Sequence, residues 1–202
     1  MSKTNLSEFF IIKNFEIKNT ENTDIGLINS KLEKFKNNSI FLINNDEIAS
    51  SITDLDFVKN VGVKKIYPDK IKININEHKI VAVISNNENK YMLSKEGHII
   101  ENYNDKFNSL PIIYGKNTEN YFPYFYKLLN DINFDYSKIK YLKYFESNRW
   151  DIFLKDGKLI KLSSDKSVAK ESLANFIAIY SDKKFEQYKI FDFRVKNQLI
   201  LK

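Results

Sequence analysis

The segment from Val58 to Ile84 constrains the fold of this chain more than any other part of its sequence. Pro68 and Asp69 interrupt it where the chain must reverse, because proline presets φ for a turn and cannot donate to a strand ladder. After them, isoleucine recurs at every second position between lysines and asparagines: Ile71, Ile73 and Ile75. A period of two predicts a strand with one buried face and one solvated face. We therefore expect two strands joined by a tight turn, and then a bend that leads out of the domain.

A short strand and two amphipathic helices are predicted before this hairpin. The strand comprises Phe15 to Lys18, and the segment Asn44–Asp46 offers side-chain oxygens that can cap the second helix. Apolar residues recur at helical spacing in two stripes: Ile25, Ile28, Leu32 and Phe35, and then Ile48, Ala49, Ile52 and Leu55. The order is therefore strand, helix, helix, strand, strand. We expect a bulge before the turn, where Ile66 breaks the alternation of the first hairpin strand.

The pattern changes after Ile84, and we place the domain boundary there, which gives domains 1–84 and 85–202. Predicted elements are a polar turn at 86–89, strands at 91–93 and 98–100, a helix at 122–132 with Pro123 in its first turn, a hairpin centred on Asp156 and Gly157, a helix at 168–180, and closing strands at 188–194 and 197–201. Asp165 or Ser167 is expected to cap the last helix. The second domain is therefore a mostly antiparallel sheet with two helices, and the fold class of the chain is α+β.

The net positive charge raises the possibility of nucleic-acid binding, but the choice and distribution of basic residues argue against it. The 202 residues carry a net charge of +6, with 43% hydrophobic residues and no cysteine. Arg149 and Arg194 are the only arginines, although arginine is the residue suited to bidentate phosphate and guanine contacts. The lysines are spread along the chain among Asp and Glu. Those on the hairpin are typical of an edge strand, where lysine hinders aggregation through pairing with another chain. We therefore expect no nucleic-acid partner.

Recognisable catalytic, metal-binding and phosphate-binding motifs are absent from the sequence. Neither His78 nor His98 has a second histidine three or four residues away, so a metal site has no support. The five glycines form no phosphate-binding loop, and no Gly-x-Ser-x-Gly elbow occurs. Trp150 is interpreted as a buried core residue. We therefore predict no enzymatic activity, no catalytic residue, no cofactor and no metal.

The first domain resembles a POTRA domain, the βααββ module of polypeptide-handling and scaffold proteins. The whole chain resembles the periplasmic part of the FtsQ/DivIB cell-division proteins. The segments that carry this resemblance follow the family in order and spacing: Phe15–Asn19, Leu55–Ile84, Tyr91–Ile100, Leu110–Pro111, Arg149–Leu162 and Phe191–Leu201. Three positions depart from the family pattern. Asp56–Phe57 replaces Pro-Trp, Tyr67 replaces the Trp before Pro68, and Ile80 replaces a Pro.

The resemblance implies a non-catalytic divisome scaffold that recruits and bridges cell-division proteins, including FtsB- and FtsL-like subunits, at the septum. In this family an FtsB partner adds its strand to an open sheet edge of the second domain, and this chain also ends in a predicted strand. By position, the residues that would bind this partner are Arg149, Val195, Asn197, Gln198, Leu199 and Leu201. A recruitment surface on the POTRA hairpin would comprise Asn60, Val63 and Lys65, which are otherwise a core valine and two solvated strand residues.

The resemblance also implies a place in the cell. It predicts a single-pass protein of the inner membrane, with this region in the periplasm at the division septum. Because the family's transmembrane helix is missing from this sequence, we expect Met1 to mark the start of a shortened chain; the alternative is an unusual gene start. The alternative is a POTRA-bearing protein of polypeptide transport or outer-membrane assembly. A transmembrane helix upstream in the full reading frame would favour division, and a downstream barrel or tandem POTRA domain would favour transport.

Overall fold

A computed structural model describes residues 10–86 and 89–202 of the chain. Two residues of the predicted polar turn, 87 and 88, lie outside the described residues. The chain divides into two compact units, 1–78 and 79–202. The described part contains four α-helices and twelve β-strands.

The first unit has the predicted βααββ order. Its elements are β1 (Asn14–Lys18), α1 (Ile25–Leu32), α2 (Asn45–Thr53), β2 (Val58–Ile66) and β3 (Lys70–Glu77), with a 3-10 turn at Glu33–Phe35 after α1. The strands form one sheet in the order β1-β3-β2, in which β3 pairs parallel with β1 and antiparallel with β2. Strand β3 is therefore central, and β2 is an edge strand.

Both helices pack their apolar stripe on the isoleucine face of β3. Ile71, Ile73 and Ile75 are fully buried, as the alternation predicts. The helical stripes supply the other side of this core: Ile28, Leu32, Phe35, Ile48 and Ile52. Ile25 was expected on the buried stripe but is exposed, because it is the first residue of α1 and Asp24 caps the helix there. Asn44 caps α2 by accepting a hydrogen bond from the Asp46 N–H.

The hairpin turns through residues 67–69, and the Tyr67–Pro68 peptide bond is cis. The predicted bulge before this turn is wrong. Pairing is regular from Asn60 to Ile66, and the irregularity lies between Val58 and Asn60. The apolar alternation breaks near the turn for another reason, since Lys65 occupies an inward position. Its Nζ donates to the Ile43 carbonyl oxygen at 2.6 Å, which satisfies a charge facing the core side.

The second unit contains one sheet of nine strands in the order β12-β11-β10-β9-β8-β7-β4-β5-β6. Its strands are β4 (Ile80–Asn86), β5 (Asn89–Ser94), β6 (Ile99–Ile100), β7 (Ile112–Tyr114), β8 (Ile139–Phe145), β9 (Arg149–Leu154), β10 (Leu159–Lys161), β11 (Ile190–Asp192) and β12 (Ile200–Leu201). Five of the eight neighbouring pairs are antiparallel, so the sheet is mostly antiparallel as predicted. Strand β4 pairs with β5 and β7. The division between the units thus falls before β4, whereas the sequence analysis placed it after Ile84.

Helices α3 (Thr118–Asp131) and α4 (Lys166–Ile179) pack on one face of this sheet. Trp150 lies in the core, stacked on Phe125 of α3 with ring centroids 4.7 Å apart. Asp165 caps α4 by accepting hydrogen bonds from Ser167 and Val168. Pro123 lies in the second turn of α3 and not the first, because the helix begins four residues earlier than the apolar stripe indicates.

Candidate partner-binding edge of the second sheet

Strand β12 is one of the two edge strands of the nine-stranded sheet, and β6 is the other. It pairs antiparallel with β11, with Leu201 opposite Phe191 and Ile200 opposite Asp192. Next in register, Lys202 and Ile190 exchange two backbone hydrogen bonds, of 2.9 and 3.1 Å. Hydrogen-bonded and non-hydrogen-bonded pairs alternate along an antiparallel ladder. The N–H and C=O of Leu201 therefore point away from β11, toward the open edge.

The segment before β12 is a turn, although a strand was predicted over 197–201. Asn197 adopts a left-handed conformation with φ of 60°, and the Gln198 N–H turns back to the Val195 carbonyl at 3.2 Å. Asparagine tolerates this conformation because its short polar side chain can bond locally. The strand therefore begins only at Ile200.

Four of the predicted partner-binding residues share a groove beside this edge. The groove has a volume of about 280 Å³ and lies between α4 and the turn that precedes β12. The predicted residues that line it are Val195, Asn197, Gln198 and Leu199. Val195 is 56% exposed, whereas Leu199 and Leu201 are half-buried against the core. The structure thus brings these residues together on the helical side of the edge.

Arg149 lies on the opposite face of the sheet. It is at the start of β9, where it stacks over the Phe145 ring at 4.1 Å and its Nε lies 3.3 Å from Asp151 Oδ1. Three steps of about 4.8 Å separate β9 from β12, which gives a distance of about 14 Å. A partner that binds both Arg149 and the β12 edge must therefore extend across the open face of the sheet.

A charged row connects Arg149 to the edge, and the sequence analysis did not single it out. Neighbouring strands align Lys143, Asp151, Lys161, Asp192 and then Ile200 of β12. Asp151 is only 4% exposed, and burial raises its pKa despite the nearby cations. An aspartate between Trp150 and Ile152, within an apolar strand, was the sequence signal for this row.

Asp192 ends this row beside the edge. Its carboxylate accepts hydrogen bonds from the Arg194 guanidinium, the shortest at 2.6 Å from Nη2, and these bonds hold the pKa of Asp192 below its usual value. On the open face next to β12, Arg194 is therefore an ordered, half-exposed cation whose partner Asp192 is buried.

The predicted recruitment surface of the first unit lies along β2 but not on one face. Asn60 points to the outer face, where its Oδ1 accepts a hydrogen bond from Asn76 Nδ2 at 2.6 Å. Val63 and Lys65 pair with Ile73 and Ile71 and point to the core side. These residues therefore share an edge strand rather than a surface patch.

Neither a metal centre nor a membrane span is evident in residues 10–86 and 89–202. In these ranges, no cluster of three or more His, Asp or Glu side chains could hold a metal ion. None of the helices described there has the length and apolarity needed to cross a bilayer.

The fold and this edge define an α+β protein with a POTRA-type first unit and a sheet that ends in an open strand. The family described as "Cell division protein FtsQ/DivIB, C-terminal" matches residues 82–194, and the "POTRA domain, FtsQ-type" matches residues 10–78. The chain belongs to the FtsQ/DivIB family of bacterial cell-division proteins.

Two named FtsQ relatives agree with this assignment. The cell division protein FtsQ of Rickettsia bellii is 30% identical over 198 residues, which cover 94% of this chain and 71% of the relative. FtsQ of Rhizobium meliloti is 27% identical over 65% of this chain, but the match spans only 43% of that relative. The solved extracytoplasmic domain of DivIB from Geobacillus stearothermophilus is 13% identical, with a TM-score of 0.37, and covers 54% of this chain and 97% of that domain.

Proposed function

We propose that this chain is a non-catalytic scaffold of the divisome that recruits and bridges cell-division proteins at the septum. It binds an FtsB-like partner by strand addition at β12. The observation that carries this proposal is the edge position of β12, with the Leu201 N–H and C=O pointing outward. A partner strand gains affinity from main-chain hydrogen bonds to such an edge and specificity from pockets for its side chains.

Both faces of the second sheet next to β12 offer features that can recognise a specific partner strand. On the helical side, the groove lined by Val195 and Leu199 accepts an apolar side chain of the added strand. On the open side, Arg149 offers a guanidinium to an acidic residue of the partner, about three strands from the edge. The charged row between them sets the orientation of the segment that crosses it.

A second docking surface lies on β2 of the first unit. Asn60, Val63 and Lys65 belong to this edge strand, so we propose that another septal protein approaches along the strand. We also propose that this region lies in the periplasm, held by a transmembrane helix in the inner membrane. Recovering the full reading frame and its neighbouring genes tests that location.

Proline at position 201 tests strand addition directly. The Leu201 N–H makes no hydrogen bond to β11, so Leu201→Pro removes a donor that only a partner would use. We expect this variant to weaken binding of the periplasmic segment of the FtsB-like protein from the same genome about tenfold or more. Leu201→Ala is the matched control, since it loses the same packing but keeps the N–H.

Charge at the groove gives an independent check. Val195→Lys and Leu199→Lys are expected to reduce binding, whereas Ile177→Lys, at an exposed position on α4, leaves it unchanged. Equal binding by Leu201→Pro and Leu201→Ala, together with unaffected binding by both groove variants, would refute strand addition at β12.

A further inference from the structure

The first unit exposes three large apolar side chains on two neighbouring turns, here called the tip patch: Phe41, Leu42 and Tyr67. Their exposed fractions are 57%, 87% and 54%. Phe41 stacks on Tyr67 with ring centroids 5.2 Å apart, and Phe10 packs on the other side of Phe41 at 5.0 Å. Single exposed apolar residues are ordinary, but a contiguous cluster at a protruding turn marks an interaction site.

The tip patch is held rigidly outward by its flanking residues. Ile40 is fully buried and Ile43 nearly so, which anchors the loop on both sides of Phe41 and Leu42. The Ile40 N–H donates to the Phe10 carbonyl at 2.9 Å, and the Leu42 N–H donates to the Ser39 carbonyl at 3.1 Å. The exposure of Leu42 therefore follows from a fixed backbone.

Lysines surround the tip patch. Lys64 and Lys70 flank the hairpin turn that carries Tyr67. Asp69 is the one acid between residues 64 and 70, and its Oδ2 lies 3.8 Å from Lys13 Nζ. Lys34 and Glu47 line the depression beside Leu42, so the charges around this apolar patch are mostly, though not only, positive.

An apolar patch with lysines around it favours a lipid surface over a protein partner. Lysine is depleted in protein–protein interfaces, where its charge would have to be desolvated. At a bilayer surface, aliphatic and aromatic side chains enter the interface while lysines remain at the headgroups and attract anionic lipids. Tyr67 has the apolar ring and polar hydroxyl that favour this boundary.

We propose that the tip patch inserts Phe41, Leu42 and Tyr67 into the interfacial layer of an anionic bilayer. This membrane contact is separate from the β12 edge and goes beyond the proposed function. It gives the first unit a peripheral contact of its own with the lipid surface.

Co-sedimentation with vesicles tests this contact. We expect the full chain to bind phosphatidylcholine vesicles that contain phosphatidylglycerol, and to bind pure phosphatidylcholine vesicles less. Leu42→Ser should lower the partition coefficient about tenfold, because membrane binding scales with the apolar area buried. Leu27→Ser is the matched control: Leu27 is 54% exposed on α1 of the same unit, and its loss should leave binding unchanged.

A fluorescent label shows whether the patch enters the lipid. The chain contains no cysteine, so Leu42→Cys and Leu27→Cys each provide one labelling site. An environment-sensitive dye at position 42 should shift to the blue on adding anionic vesicles, and the same dye at position 27 should not. Leu42→Ser should also retain binding of the FtsB-like segment, which separates this test from that of β12.

Three results would overturn the proposal. The first is equal vesicle binding by Leu42→Ser and the unmodified chain. The second is an equal dye response at positions 42 and 27. The third is a change in the oligomeric state of the lipid-free protein on Leu42→Ser, which would assign the tip patch to contact with a second copy.

Discussion

Glu77, the last residue of β3, accepts a hydrogen bond on its Oε1 from the backbone N–H of Thr23 at 2.8 Å. The same carboxylate accepts from the backbone N–H groups of Glu21 and Asn22, and from Asn22 Nδ2 at 2.8 Å. Successive N–H groups that converge on one anion form a backbone nest. Glu77 thereby ties the loop between β1 and α1 to the end of the central strand.

The nest makes the stability of the first unit depend on pH. Burial alone would raise the pKa of Glu77, but the hydrogen bonds from Thr23 and Asn22 outweigh it and lower the pKa below the usual 4.5. The stabilisation is therefore complete above the pKa of the unfolded chain and is lost as pH falls through the lower, folded pKa. Glu77→Gln should cost about 1–3 kcal/mol at neutral pH. Urea unfolding measured at several pH values checks this.

Glu16 provides the control for Glu77. It is on β1 of the same sheet, and its exposed carboxylate lies 3.0 Å from Lys18. Glu16→Gln should leave the free energy of unfolding nearly unchanged, as expected for a surface ion pair. Equal losses for the two variants would show that the nest contributes nothing specific.

Asp151 should show the opposite dependence on pH. Burial raises its folded pKa, although Arg149, Lys161 and Arg194 act to lower it. Its contribution to stability therefore falls as pH rises from the unfolded to the folded pKa. Asp151→Asn should remove this slope, so that the variant gains stability relative to the parent as pH rises. Chemical denaturation of both proteins between pH 3 and 7 measures the difference. A constant difference across this range would contradict the assignment.

The hairpin was predictable because alternation is a local property. Ile71, Ile73 and Ile75 face one side of β3 independently of the tertiary context. All three are buried in the structure. The register of β8 and β9 was not predictable, because both faces of these strands carry apolar residues. Tyr141 and Phe153 stack on the open face, with ring centroids 4.0 Å apart. In the sequence, these aromatic residues cannot be told from residues of the core.

Less of the candidate site could be read from the sequence. The resemblance placed β12 near the partner, but only the register shows that the Leu201 backbone groups point outward. The left-handed Asn197 shortens the strand, and a period-two pattern carries no signal for it. The separation of Arg149 from the edge depends on strand order, which no local pattern encodes.

Gly97 should tolerate replacement by alanine poorly. Its φ is 89°, and a Cβ there would lie 2.4 Å from the carbonyl oxygen of Glu119. That carbonyl lies in α3 four residues before Pro123, which has no N–H to donate to it. Gly97→Ala should therefore cost more than about 3 kcal/mol, from the combined strain and clash. Thermal unfolding measures the loss.

Gly157 is a matched control for the backbone strain alone. Its φ is 88°, yet a Cβ there would meet nothing within 4 Å. Gly157→Ala should cost only about 1 kcal/mol, since the left-handed conformation is its sole penalty. Similar losses at the two positions would mean that the approach of Gly97 to α3 is not a real constraint.

The three recruitment residues on β2 should separate binding from stability. Asn60 is exposed and its side chain accepts a hydrogen bond from Asn76 across the outer face, so Asn60→Ala should change the free energy of unfolding by about 0.5 kcal/mol or less. Lys65→Ala removes the bond to the Ile43 carbonyl and should cost about 1 kcal/mol. If β2 is a docking edge, Asn60→Ala nevertheless reduces recruitment of the tagged protein to the septum. Two results together would exclude β2 as a docking surface. The first is normal recruitment of the Asn60→Ala protein to the septum, and the second is a recruitment defect of Lys65→Ala no larger than its loss of stability explains.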